Sequence, residues 1–189
     1  MNRSDRFLQA LLIVSLVCLS WLGMMVVHEC GHVLHAWLGG GTVTGVLLHP
    51  LKISMTQVYP NPHPLFERWG GAAWGCLIPL GMLAVARMAR ARFAYLVRFF
   101  AGFCLIANGV YIGLGSFDRV GDAGNLMSLG TPRWVLVLFG AVTSALGLWL
   151  WHGLRPTKQP VCRGHAIGAF ALLVLVVVAE LAFYRPGWP

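Results

Sequence analysis

The chain has 189 residues, 58% hydrophobic and only 11% charged, with a mean hydropathy of +0.72. That composition excludes an ordinary water-soluble domain and indicates an integral membrane protein in contact with the lipid bilayer. The formal net charge of +8 does not point to nucleic acid, because the basic residues are spread over helix-flanking loops and form no single basic face.

A helix needs about 20 apolar residues to cross a bilayer, and such runs lie at 7–38, 70–89, 93–115, 134–154 and 166–184. The expected fold class is an all-α integral membrane protein with about five transmembrane helices. They nearly exhaust residues 1–189, leaving one polytopic domain and no length for a second, soluble one. With these spans, Arg3, Arg6, Arg87, Arg90, Arg92, Arg98, Arg155, Lys158 and Arg163 fall on one side, and Lys52, Arg68, Arg119, Arg133 and Arg185 on the other. The bias favours a cytoplasmic N-terminus. The basic head and apolar body of "MNRSDRFLQALLIVSLVCLSW" resemble a secretory signal, but the apolar pattern runs on into the next motif, so an uncleaved first span is expected.

The first span ends in "MMVVHECGHVLHAW". In a helix, positions i and i+4 share a face, so His28 and His32 can place two ring nitrogens on one metal ion. Glu29 is placed to reach a water on that ion without being a ligand. This is the H-E-x-x-H arrangement of zinc hydrolases, in which the carboxylate takes a proton as the water attacks a carbonyl. Ionisable groups inside a span need a functional reason. The bland alternative is a pair of histidines bonding between helices, with Glu29 paired to an arginine. His35, one turn after His32, reads as interfacial. Cys30 points off the histidine face, and the five cysteines have no paired spacing, so they read as packing residues.

Gly39 to Gly41 stop the first helix. The following "TVTGVLLHPLKISMTQVYPNPHP" is too short and too polar to span, and it is rich in β-branched residues. Two short strands, 42–46 and 52–58, are expected to form a hairpin at the membrane surface. In the second span, small residues allow close helix approach and Pro79 is a candidate kink. The third span carries a polar Asn108, and "GSFDRVGDAGNLMSLGTP" follows as a glycine-punctuated segment.

A catalytic zinc keeps three protein ligands and one open position. Candidates for the third are Asp118, Asp122, Asn125, His49, His63, His152, His165, Glu67 and Glu180. His28 lies about 31 Å along the first span at 1.5 Å per residue, so the motif sits near the far face. Alternating helix directions then remove His152 and His165. Asp122, flanked by small residues on the motif's side, is preferred over Asp118, which reads as a surface partner of Arg119. His49 and His63, each beside a proline, read as solvent-facing, and Glu180 as a residue near the interface with Arg185 in reach.

"HECGH" in the first span, the glycine-bounded β-like segment, the small-residue second span and the later aspartate together resemble the site-2 protease family of intramembrane zinc metalloproteases, over residues 26–129. The resemblance implies one Zn2+ per chain held by His28, His32 and Asp122, Glu29 as catalytic base, and a transmembrane protein segment as substrate. It further implies a transition-state or substrate contact for Asn108, although the family's Asn-Pro run before Leu-Asp-Gly is replaced here by "ANGVYIGLGSFDRVGDAGNL". Under this reading the β-like segment can hold an unwound substrate by strand addition, with Thr42, Val43, Thr44, Ile53, Ser54 and Met55 as the candidate edge; a loop that merely covers the site is the alternative. Two other functions remain as expectations: a non-proteolytic membrane protein with a structural zinc, and a zinc hydrolase acting on another membrane substrate.

Overall fold

A computed structural model describes residues 3–154 and 162–184. Arg155, Lys158 and Arg185 of the charge comparison lie outside the described residues. The order is α1 (Arg3–Leu38), β1 (Val43–Leu47), β2 (Met55–Val58), α2 (Pro64–Met88), α3 (Ala94–Asp118), α4 (Gly121–Ser128), α5 (Arg133–Trp151) and α6 (Arg163–Phe183). All of these helices but α4 are long and apolar enough to cross a membrane. Their outward faces carry large apolar side chains such as Ile13, Trp21, Leu77, Leu138 and Leu175, the surface a lipid environment demands.

The five expected spanning helices are present, and one short helix that was not expected joins them. The segment after the third span contains a sixth, short helix. Arg119 caps α3 in the left-handed conformation, and Gly121, at φ 54°, redirects the chain so that α4 starts at once and buries Asp122, Ala123, Gly124 and Leu126. A side chain at Gly121 would also collide with the Tyr111 hydroxyl, which receives the Asp122 main-chain N–H at 3.1 Å.

The helices are held by close backbone approaches. A Cβ at Gly31 of α1 would strike the carbonyl oxygen of Gly70 of α2. Small residues there let van der Waals contact replace the hydrophobic drive that lipid does not supply. The central α3 packs on α2, α4 and α5, while α6 packs mainly on α1 through Leu12, Ala166 and Ala169. Pro79 is buried inside a continuous α2.

The hairpin forms as an antiparallel pair with Val46 opposite Thr56 and Leu47 opposite Met55. β1 is as long as the predicted 42–46 but begins one residue later, and β2 is shorter than the predicted 52–58. Ile53 and Ser54 belong to the connection, where Pro50 has no N–H to give a ladder. Thr42 precedes β1, and its N–H and C=O are already bonded to Pro60 and Tyr59, so it offers no free edge. The tip of the hairpin rests on the end of α6: Lys52 Nζ donates to Tyr184 Oη at 2.6 Å, and the His49 ring meets the Tyr184 ring edge-on at 4.7 Å.

Candidate metal centre

His28, Glu29 and His32 lie on the buried side of α1. The helix brings His28 and His32 to one face, and the start of α4 brings Asp122 to both. Their Nε2, Nε2 and Oδ2 atoms form a small triangle: 2.9 Å from His28 to Asp122, 3.2 Å from His32 to Asp122 and 3.2 Å between the two nitrogens. Ligand atoms 2.0–2.1 Å from a tetrahedral zinc sit about 3.3 Å apart, so the triangle fits such an ion with little adjustment.

The other ring nitrogens define what these atoms offer. His28 Nδ1 donates to Asn108 Oδ1 at 2.7 Å, and the Asn108 amide is held in that sense because its Nδ2 donates to the Cys104 carbonyl at 2.9 Å. His32 Nδ1 lies 3.1 Å from the Glu67 carbonyl oxygen and 2.9 Å from Glu67 Oε1. Both partners accept only, so each Nδ1 carries the proton and each neutral ring turns a bare Nε2 lone pair inward. Three acceptors then converge with no donor among them. Either an imidazole takes an extra proton or a cation sits between them. Burial alone would raise the Asp122 carboxyl, but with the extra proton on an imidazole the hydrogen bonds from His28 and His32 outweigh it and hold the group well below the usual carboxylate range. It is ionised, as a ligand must be.

The cradle extends further. Arg68 reaches Asp122 Oδ1 at 3.3 Å and Glu67 Oε2 at 3.2 Å, which aligns both carboxylates. A Cβ at Gly71 would lie 2.6 Å from His28 Nε2 and closer still to His32 Nε2, so α2 can pass under the triangle only with glycine there. Glu29 is buried and accepts from Thr56 Oγ1 of β2 at 2.6 Å; no arginine pairs with it among the described residues. It also borders an open cavity of about 340 Å³ between α1 and the hairpin, walled by Val26, Cys30, Val33, Leu34, Val46 and Leu48.

The remaining candidates fall elsewhere. Asp118 ends α3 and Asn125 lies in α4, both exposed. His35 bonds the Phe66 carbonyl at 2.7 Å and stacks on its ring at 4.0 Å. His63 is exposed, whereas His49 is half-buried against Tyr184. His165 bonds Tyr95 at 2.8 Å, His152 is exposed, and Glu180 is buried on α6. Asn108 enters the site through the His28 ring, with both ends of its amide engaged. Sequence reasoning missed the parts of Glu67, Arg68, Gly71 and Thr56. The available signal was a Glu-Arg pair just ahead of "GG" at the start of an apolar span, where charge is costly. Thr56 carried none. No family model matches the chain, and no curated protein or solved structure is significantly similar to it.

Proposed function

We propose that the chain is an intramembrane zinc endopeptidase, in keeping with its resemblance to the site-2 protease family. The observation that carries this reading is the convergence of the donor types a catalytic zinc uses, three and not four among the described residues, beside a buried carboxylate that opens onto an apolar groove. A closed structural site would supply four protein ligands.

His28, His32 and Asp122 would hold the ion. When bound, zinc polarises a carbonyl and makes water acidic near pH 7. Glu29 takes the proton released by water as the peptide carbonyl is attacked and returns it to the leaving amine. Asn108 and Glu67 keep both imidazoles in the ligating tautomer. The groove admits an extended apolar segment, and the unpaired edge of β1, from Val43 and Thr44 onward, can hold its backbone once it has left helical bonding. Met55 opens β2 on the other side of the pair. The substrate is therefore a transmembrane protein segment. By the positive-inside bias the N-terminus is cytoplasmic, which puts the site toward the opposite face.

The test is Glu29→Gln in purified protein with a quenched peptide bearing an apolar transmembrane segment. Cleavage is expected to fall at least about 10²-fold while bound zinc stays near one per chain. A variant that cleaves at the normal rate rules out the mechanism. Wild-type protein that holds zinc but cuts no peptide, and hydrolyses a lipid or small amide instead, supports a hydrolase of another membrane substrate.

A further inference from the structure

We infer that Thr56 is the positioning residue for Glu29, and that through it the β-hairpin and the proton-carrying carboxylate move as one unit. The assignment of Glu29 as base rests on the function proposed above; the coupling of hairpin to helix rests on geometry alone.

Of the four residues in β2, Thr56 is the only one buried. Across the pair it faces Val46, which with Leu48 forms the hairpin's wall of the apolar cavity. Valine would fill this place with the same shape, so a hydroxyl here has to be explained by its bond. Its Oγ1 donates to Glu29 Oε2 at 2.6 Å, a charge-assisted contact of the stronger kind. A carboxylate at the end of a side chain with free torsions has many orientations. One donor on one oxygen selects among them and leaves the second oxygen for proton work.

The donor stands on a strand, not on the metal-bearing helices. The hairpin is suspended between this bond at its α1 side and the Lys52 and His49 contacts with Tyr184 at its tip. A peptide that adds to the sheet edge and shifts the strands shifts Thr56 with them. The orientation of Glu29 then responds to whether the hairpin is engaged.

The experiment is a double-mutant cycle on the full chain, zinc-loaded in bilayer discs, with hydrogen exchange of the amides at 43–47 and 55–58 as readout. Thr56→Val and Glu29→Ala are each expected to speed hairpin exchange about tenfold or more. The double variant should be no faster than either single, and Thr56→Ser should stay within about twofold of wild type. Zinc content should be unchanged in the Thr56 variants. Additive effects, or a serine variant as loose as the valine one, overturn the proposal. If Thr56→Val does not fold, unchanged hairpin exchange in Glu29→Ala overturns it equally. In the peptide assay, Thr56→Val should lower kcat with little change in KM, and Thr56→Ser should restore it; a change in KM alone rejects the positioning role. If wild type cuts no peptide, the proposed function fails while the exchange cycle still decides the coupling.

Discussion

Gly71→Ala is the sharpest test of the metal cradle. The added methyl would stand 2.6 Å from His28 Nε2 and nearer to His32 Nε2, whereas non-bonded carbon and nitrogen need about 3.5 Å. One or both rings must retreat by close to an ångström, or α1 and α2 must part. Parting is resisted one residue away, where Gly31 and Gly70 already bring the two backbones into contact. Overpacking of this kind costs about 1–3 kcal/mol, and it falls on the ligands because they are what can move. Zinc affinity is expected to drop about 10–100-fold, the range seen when ligand-orienting contacts are lost. Competition with a chromophoric chelator measures it, with circular dichroism reporting helicity. Gly81→Ala on the same helix, where a Cβ meets nothing within 4 Å, is the control and should bind as wild type. If Gly71→Ala binds zinc within about twofold of wild type, the triangle is not the metal site.

Three further outcomes follow from the same geometry. Asn108→Leu removes the acceptor that holds the His28 Nδ1 proton, so zinc affinity should fall about 10-fold or more, measured by the same competition; unchanged affinity would show that the tautomer is set elsewhere. Asp122→Ala should lose zinc, whereas Asp118→Ala, altering an exposed residue, should keep it, as metal analysis of the purified proteins will tell. Acid should release the metal: both histidines must be neutral to ligate, while Asp122, held low by its neighbours, stays ionised. Protons compete with the metal for both Nε2 atoms, so affinity should fall as the pH is lowered, by up to about two log units per pH unit where both rings are protonated. Occupancy that does not change between pH 7 and 5 under competition would contradict histidine ligation.

The spans were legible because membrane crossing is imposed by composition over about 20 residues, a property of sequence windows alone. The α4 helix was not, since a short glycine-rich run has too little periodicity to announce itself; it forms where Gly121 turns the chain and α3 gives it a surface. The hairpin was legible from its β-branched residues, but its ends depended on which backbone groups found partners, as with Thr42 and Pro60.

At the site the division has a simple cause. His28, Glu29 and His32 belong to one helix, where a spacing of four residues already fixes a shared face, so the sequence by itself determined two candidate ligands and the candidate base. The rest comes from far along the chain. Asp122 lies 94 residues from His28, Asn108 80 residues, Glu67 35 from His32 and Thr56 27 from Glu29. Chemistry and membrane side favoured Asp122 in advance. Only tertiary packing decided that Asn108 and Glu67 hold the rings, that Gly71 leaves room for them, and that a strand residue grips the carboxylate. Those relations depend on how closely helices approach, and local spacing carries no record of that distance.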